Sequence, residues 1–86
     1  GTKEEAKQIF GELLELLPTV GEWTKENLDT KLQAFIAAKA YGVGNVMWPL
    51  RVALSGAKNS PGPTELAHVL GLDETLKRIQ AATAKL

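Results

Sequence analysis

Apolar residues recur at helical spacing along the whole chain, and a proline or glycine closes each stretch before it grows long. A chain patterned this way folds as short amphipathic helices packed on one another. The first stripe, from Thr2 to about Leu16, holds Ala6, Ile9, Phe10, Leu13, Leu14 and Leu17, with Glu4, Glu5, Lys7, Glu12 and Glu15 mostly turned to water. The Thr2 hydroxyl is placed to cap it by accepting from the Glu5 amide, and Pro18 is expected to stop it. A second helix should start after Thr24, with the Trp23 ring stapling onto Leu28. Leu28, Leu32, Phe35 and Ile36 share its inner face. Gly42 is expected to take the left-handed conformation that ends it.

The third helix is expected to be capped by Asn45, with Pro49 in its first turn or opening it outright, where a missing amide donor costs least. Val46, Met47, Leu50, Ala53 and Leu54 face inward, and Gly56 ends the helix. Residues 57–62 read as a loop. Pro63 opens a short fourth helix whose apolar positions are Leu66, Val69 and Leu70, and Gly71 stops it. A fifth, capped by Asp73, runs toward Lys85 with Leu72, Leu76, Ile79, Thr83 and Leu86 along one side. No strand alternation, internal repeat or low-complexity tract appears. The expected fold class is all-α: one domain over residues 1–86, a compact bundle of about five short helices. Residues 1–41 make two acidic, amphipathic helices; residues 42–86 make a helix, a Ser-Pro-Gly-Pro loop and two further helices.

Eighty-six residues suit one small domain, which buries only about 60–65% of its unfolded surface. The absence of cysteine excludes a disulfide scaffold, a thiolate zinc site and a cysteine nucleophile. No apolar stretch approaches the ~20 residues that cross a bilayer, so a cytoplasmic, reducing setting is expected. An opening Gly1 in place of Met points to a piece of a longer protein. The formal charge is zero but unevenly placed. Residues 1–30 carry seven acids against three lysines, a balance of −4; residues 31–86 carry seven bases against three acids, a balance of +4. A phosphate backbone would be drawn to the second part, although mixed helix faces also serve solubility.

Candidate catalytic groups are few. His68, the only histidine, has no second ligand at metal-binding spacing and no serine or cysteine placed to use it as a base. No carboxylate pair stands out, and Gly42-Val43-Gly44 lacks the lysine and the preceding strand of a phosphate loop. Ser55 sits at a helix end on a neutral chain, unlike the attachment serine of an acyl carrier. Trp23, Phe35 and Tyr41 read as core or rim packing. Arg51 is the informative charge. It lies within the apolar run Leu50–Leu54, so its guanidinium either anchors the following loop or Glu65, or offers its planar fork to base edges and phosphates. Spacing alone leaves both readings open. The corner Ser60-Pro61-Gly62-Pro63 likewise serves as a helix-initiating turn, or as an open site beside a helix N-terminus.

The order PLRVALSG (Pro49–Gly56), Ser60-Pro61-Gly62, then Leu70-Gly71 followed by Thr75-Leu76 resembles the C-terminal anticodon-binding domain of bacterial-type glutamyl-tRNA synthetase, a class I aminoacyl-tRNA synthetase. In that family a PLR-x-ALTG segment precedes a Thr/Ser-Pro-Gly loop and an LG-x-x-x-TL helix start. The match is close over the last 40 residues or so and general before them. It implies that Arg51, Ser60, Pro61, Gly62 and Pro63 receive unpaired anticodon bases of tRNA(Glu), and of tRNA(Gln) where the parent charges both. Pro63 stands where the family often has leucine. Lys58, Lys77 and Arg78 would serve the phosphates. The implied parent is a monomeric ligase joining glutamate to tRNA with ATP and magnesium. This piece would hold no cofactor, no metal and no catalytic residue. The competing expectation is a helical protein-interaction module using Trp23, Tyr41 and Trp48.

Overall fold

A computed structural model describes residues 2–55 and 61–86 of the chain. The described residues form five α-helices and no strand: α1 (Lys3–Leu16), α2 (Lys25–Lys39), α3 (Val43–Ser55), α4 (Pro63–Leu70) and α5 (Leu72–Ala84), with a 3-10 turn at Leu17–Thr19. The all-α class is as the sequence predicts. The radius of gyration is 11.6 Å, close to the ~12 Å of a compact chain of this length. α3 packs against α1, α4 and α5, and α2 packs on α4.

The stripes predicted for α1, α2 and α3 make the core. Ile9, Phe10, Leu13 and Leu17, with Leu28, Leu32, Phe35 and Ile36 of α2, Val46, Leu50 and Leu54 of α3 and Ile79 of α5, belong to one buried cluster. Fully burying each such side chain contributes roughly 1.5–3 kcal/mol. The Thr2 hydroxyl accepts from the Glu5 amide at 3.1 Å, and Thr24 accepts from the Asn27 amide at 3.1 Å. Each satisfies an amide that no helix carbonyl can reach.

Several local expectations are corrected. The left-handed residue that ends α2 is Ala40, at φ 56°, and not Gly42. The Ala40 amide donates to Ala37 O and the Tyr41 amide to Ile36 O, the paired bonds of a Schellman ending. The Tyr41 ring then lies 5.8 Å from that of Phe35, the apolar contact this ending favours. That contact moves the helix end two residues upstream of the glycine. α3 begins at Val43 rather than after Asn45, so Pro49 falls in its second turn. Val46 is completely buried, and the helical turn before Pro49 is what carries it inward. α5 begins at Leu72 after Gly71, at φ 84°, leaving Asp73 in the first turn beside Glu74, where both favour the helix dipole.

On α4 the buried residues are Thr64 and Ala67, while Val69 is 82% exposed. Trp23 does not simply staple its own helix, because its indole Nε1 donates to Ala67 O at 2.8 Å and ties the start of α2 to α4. Thr75, fully buried on α5, sends its hydroxyl toward the same carbonyl at 3.4 Å. The expected stop at Gly56 lies outside the described residues.

Candidate nucleic-acid interface

Gly44, Met47, Trp48 and Arg51 stand at i, i+3, i+4 and i+7 on α3, which aligns them as one stripe of that helix. With Gly62 and Pro63 at the start of α4 they line an open cleft of about 340 Å³. Arg51 therefore shares a cleft with the proline corner, the juxtaposition the sequence motif anticipates. The guanidinium lies 5.4 Å from the centroid of the Trp48 ring, within cation–π range. Arg51 is half-buried and Trp48 is exposed. The Ser55 hydroxyl donates to the Arg51 carbonyl at 2.8 Å, securing the turn that carries the arginine.

The other side of the cleft is the first turn of α4. Gly62 is extended and precedes the helix, and Pro63 occupies its first position, as expected. The Leu66 amide is the first to find a helical acceptor, Gly62 O at 3.1 Å. The donors ahead of it are the ones a helix leaves for an outside acceptor. Among the described residues, a Cβ built at Gly62 or at Gly44 meets nothing within 4 Å. Glu65 sits exposed in the same turn and offsets part of the positive field.

The remaining predicted residues distribute differently. Pro61 is exposed next to the cleft, while Ser60 and Lys58 lie outside the described residues. Arg78 does not line the cleft. Its Nε donates to Glu74 Oε2 at 2.8 Å, a bond that holds the Glu74 carboxyl below the usual carboxylate range, and its Nη1 donates to Leu54 O at 2.6 Å. Arg78 is thus engaged in holding α5 to the end of α3. Lys77 is exposed on α5 and also stands outside the cleft. His68 is exposed, and no cluster of metal-ligating side chains occurs among the described residues.

Of the three residues expected for a protein-interaction module, Trp23 and Tyr41 are half-buried and each makes an internal hydrogen bond. Trp23 is committed to Ala67, and the Tyr41 phenol donates to Glu12 Oε1 at 2.6 Å. Trp48 alone among them is exposed, and its pairing with Arg51 is what the sequence reading missed. The i, i+3 separation of the two was the available signal. A second, larger groove of about 620 Å³ lies on the other side of Trp48, between α1, α3 and α5, with Phe10, Val52 and Ala81 among its walls and Arg78 and Lys85 at its edge. No helix of the described residues is long and apolar enough to cross a membrane.

Comparison with known proteins bears on the family of the chain. Over 76 residues the chain is 38% identical to glutamate–tRNA ligase 2 of Brucella ovis, a match covering 88% of the chain and 16% of that protein. The Brucella abortus protein of the same name gives the same figures. Glutamate–tRNA ligase of Xanthomonas campestris pv. campestris is 40% identical over 81 residues, covering 94% of the chain and 17% of that protein. The chain thus spans about a sixth of the length of these relatives. The anticodon binding domain family matches residues 1–83, nearly the whole chain, and the chain belongs to that family.

Proposed function

We propose that this domain holds the anticodon loop of tRNA(Glu) as part of a glutamate–tRNA ligase. The observation that carries the reading is the common cleft of Arg51, Trp48, Gly62 and Pro63 on a chain of the anticodon binding family. Single-stranded RNA is read by splaying bases against side chains and bonding their edges. Arg51 supplies a rigid two-pronged donor for a base edge, and the start of α4 supplies backbone donors and a flat proline surface. Ser60 and Pro61 extend the same corner in sequence. Lys58 and Lys77 are assigned to the phosphates. Arg78 joins them only to the extent that its contacts to Glu74 and Leu54 leave donors over.

The rest of the ligase would bind ATP, magnesium and glutamate, and would act in the cytoplasm as a monomer. Binding at the anticodon, remote from the reacting ends, then contributes to choosing the correct tRNA. Where the parent charges both, tRNA(Gln) enters the same cleft. The domain itself takes no part in bond making. With few phosphate contacts, the isolated domain should bind weakly, in the micromolar to millimolar range, and lose affinity as salt rises.

Titration of a hairpin RNA carrying a glutamate anticodon into isotopically labelled protein tests the reading. Amide shifts should concentrate at Met47, Trp48, Leu50, Arg51, Gly62 and Thr64. Shifts confined to α1 would overturn it.

A further inference from the structure

We propose that Trp48 is a nucleobase-stacking residue: its indole, beside the Arg51 guanidinium at the cleft formed with Gly62 and Pro63, takes one unpaired base of the RNA. The inference rests on the RNA-binding reading above and adds a contact and a division of labour to it.

Trp48 is 54% exposed, although a tryptophan ring carries one of the largest apolar surfaces a side chain can bury. The other tryptophan is used internally, with its indole nitrogen bonded to Ala67. Val43, Val52 and Val69 are also exposed large hydrophobics, but none offers a π face. Arg51 lies within cation–π distance of the Trp48 ring, so the cation and the ring attract each other at the cleft. Bases stack on both aromatic rings and guanidinium planes. Among the described residues, none stands within 4 Å of a Cβ added at Gly44 or Gly62, the two glycines that line the cleft.

The two side chains then do different work. Every base has a π face, so stacking on Trp48 raises affinity whatever the base, whereas the polar fork of Arg51 distinguishes one base edge from another. Trp48 also stands between the cleft and the larger apolar groove. A protein partner seated in that groove is the outcome the test must separate.

The experiment measures affinity and tryptophan emission for the wild-type chain, Trp48→Leu and Trp48→Tyr. Each is titrated with a hairpin carrying the glutamate anticodon and with one whose anticodon is altered. Wild-type emission should change on binding. Trp48→Leu should weaken binding to both hairpins by a similar factor, roughly ten- to hundredfold, with an unchanged melting curve. Trp48→Tyr should keep most of the affinity and lose the emission change, leaving Trp23 as a silent reporter. If wild type binds RNA and Trp48→Leu binds equally well, the stacking role is overturned and the RNA-binding reading survives. If wild type binds neither hairpin, that reading falls and this inference with it. An indole shift that follows protein concentration without RNA would assign the ring to a protein interface and overturn the proposal. Should Trp48→Leu fail to fold, Trp48→Tyr decides, because an emission change that persists in it must come from Trp23.

Discussion

The Arg78 Nη1 group donates to the Leu54 carbonyl at 2.6 Å, tying α5 to the last turn of α3. The final carbonyls of a helix have no partner within it, and a guanidinium placed there serves as a cap. Glu74, one turn earlier on α5, holds that guanidinium in position. Arg51 lies less than one turn before Leu54, so the same bond steadies the platform that carries the proposed site.

Arg78→Gln should therefore lower stability by about 1 kcal/mol, discounted for a side chain that is 42% exposed. For a domain of this size that is a melting shift of about 4–8 °C. Arg78→Lys keeps the charge but loses the fork. It should melt early as well if the role is structural. Retained stability in Arg78→Lys, with loss of RNA affinity in Arg78→Gln alone, would return Arg78 to the phosphates.

Tyr41 joins α1 to the end of α2 through Glu12, which also pairs with Lys39 at 3.1 Å. The Tyr41 hydrogen bond holds the Glu12 carboxyl below the usual carboxylate range, assisted by Lys39, and the same bond pushes the phenol above its ordinary value. A carboxyl lowered on folding contributes stability above its unfolded value of about 4.3, lost as pH falls through the lowered one. A phenol raised on folding contributes below about 10, lost as pH climbs through the raised value. Tyr41→Phe should thus lower the melting temperature across the neutral range, with the difference from wild type shrinking toward acid. A constant difference down to the most acid pH would contradict the linkage.

Ala40 occupies a left-handed position where a Cβ is disfavoured, in a Schellman ending that usually carries glycine. Ala40→Gly should stabilise the domain by about 1 kcal/mol by removing that strain. Chemical denaturation measures it directly. An unchanged or lower midpoint would mean that the ending relaxes in solution.

The sequence was legible wherever one local cause acts alone. Thr2 and Thr24 cap as their positions require, Pro63 opens α4, and the stripes on the first three helices become the core. It was misread where a tertiary contact decides between neighbours. Gly42 lost the helix end to Ala40 because Tyr41 must reach both Phe35 and Glu12. Pro49 lies deeper in α3 than its backbone chemistry favours, since Val46 has to be buried. Buried Thr64 and Thr75 gave no signal, because a threonine satisfied inside the fold looks in sequence like one at the surface. Within the site, Arg51 and the Gly62–Pro63 corner could be found from the motif. Their convergence across α3 and α4, and the part of Trp48 beside them, required coordinates.

The most direct test of an RNA-reading arginine is paired measurement of hairpin affinity and melting temperature in Arg51→Ala. A guanidinium that bonds a base edge predicts a loss of roughly 1–3 kcal/mol in binding, relaxed preference for the glutamate anticodon, and a melting temperature close to wild type. A melting temperature that falls while the anticodon preference of the remaining folded protein stays intact would contradict the account and make Arg51 a fold anchor.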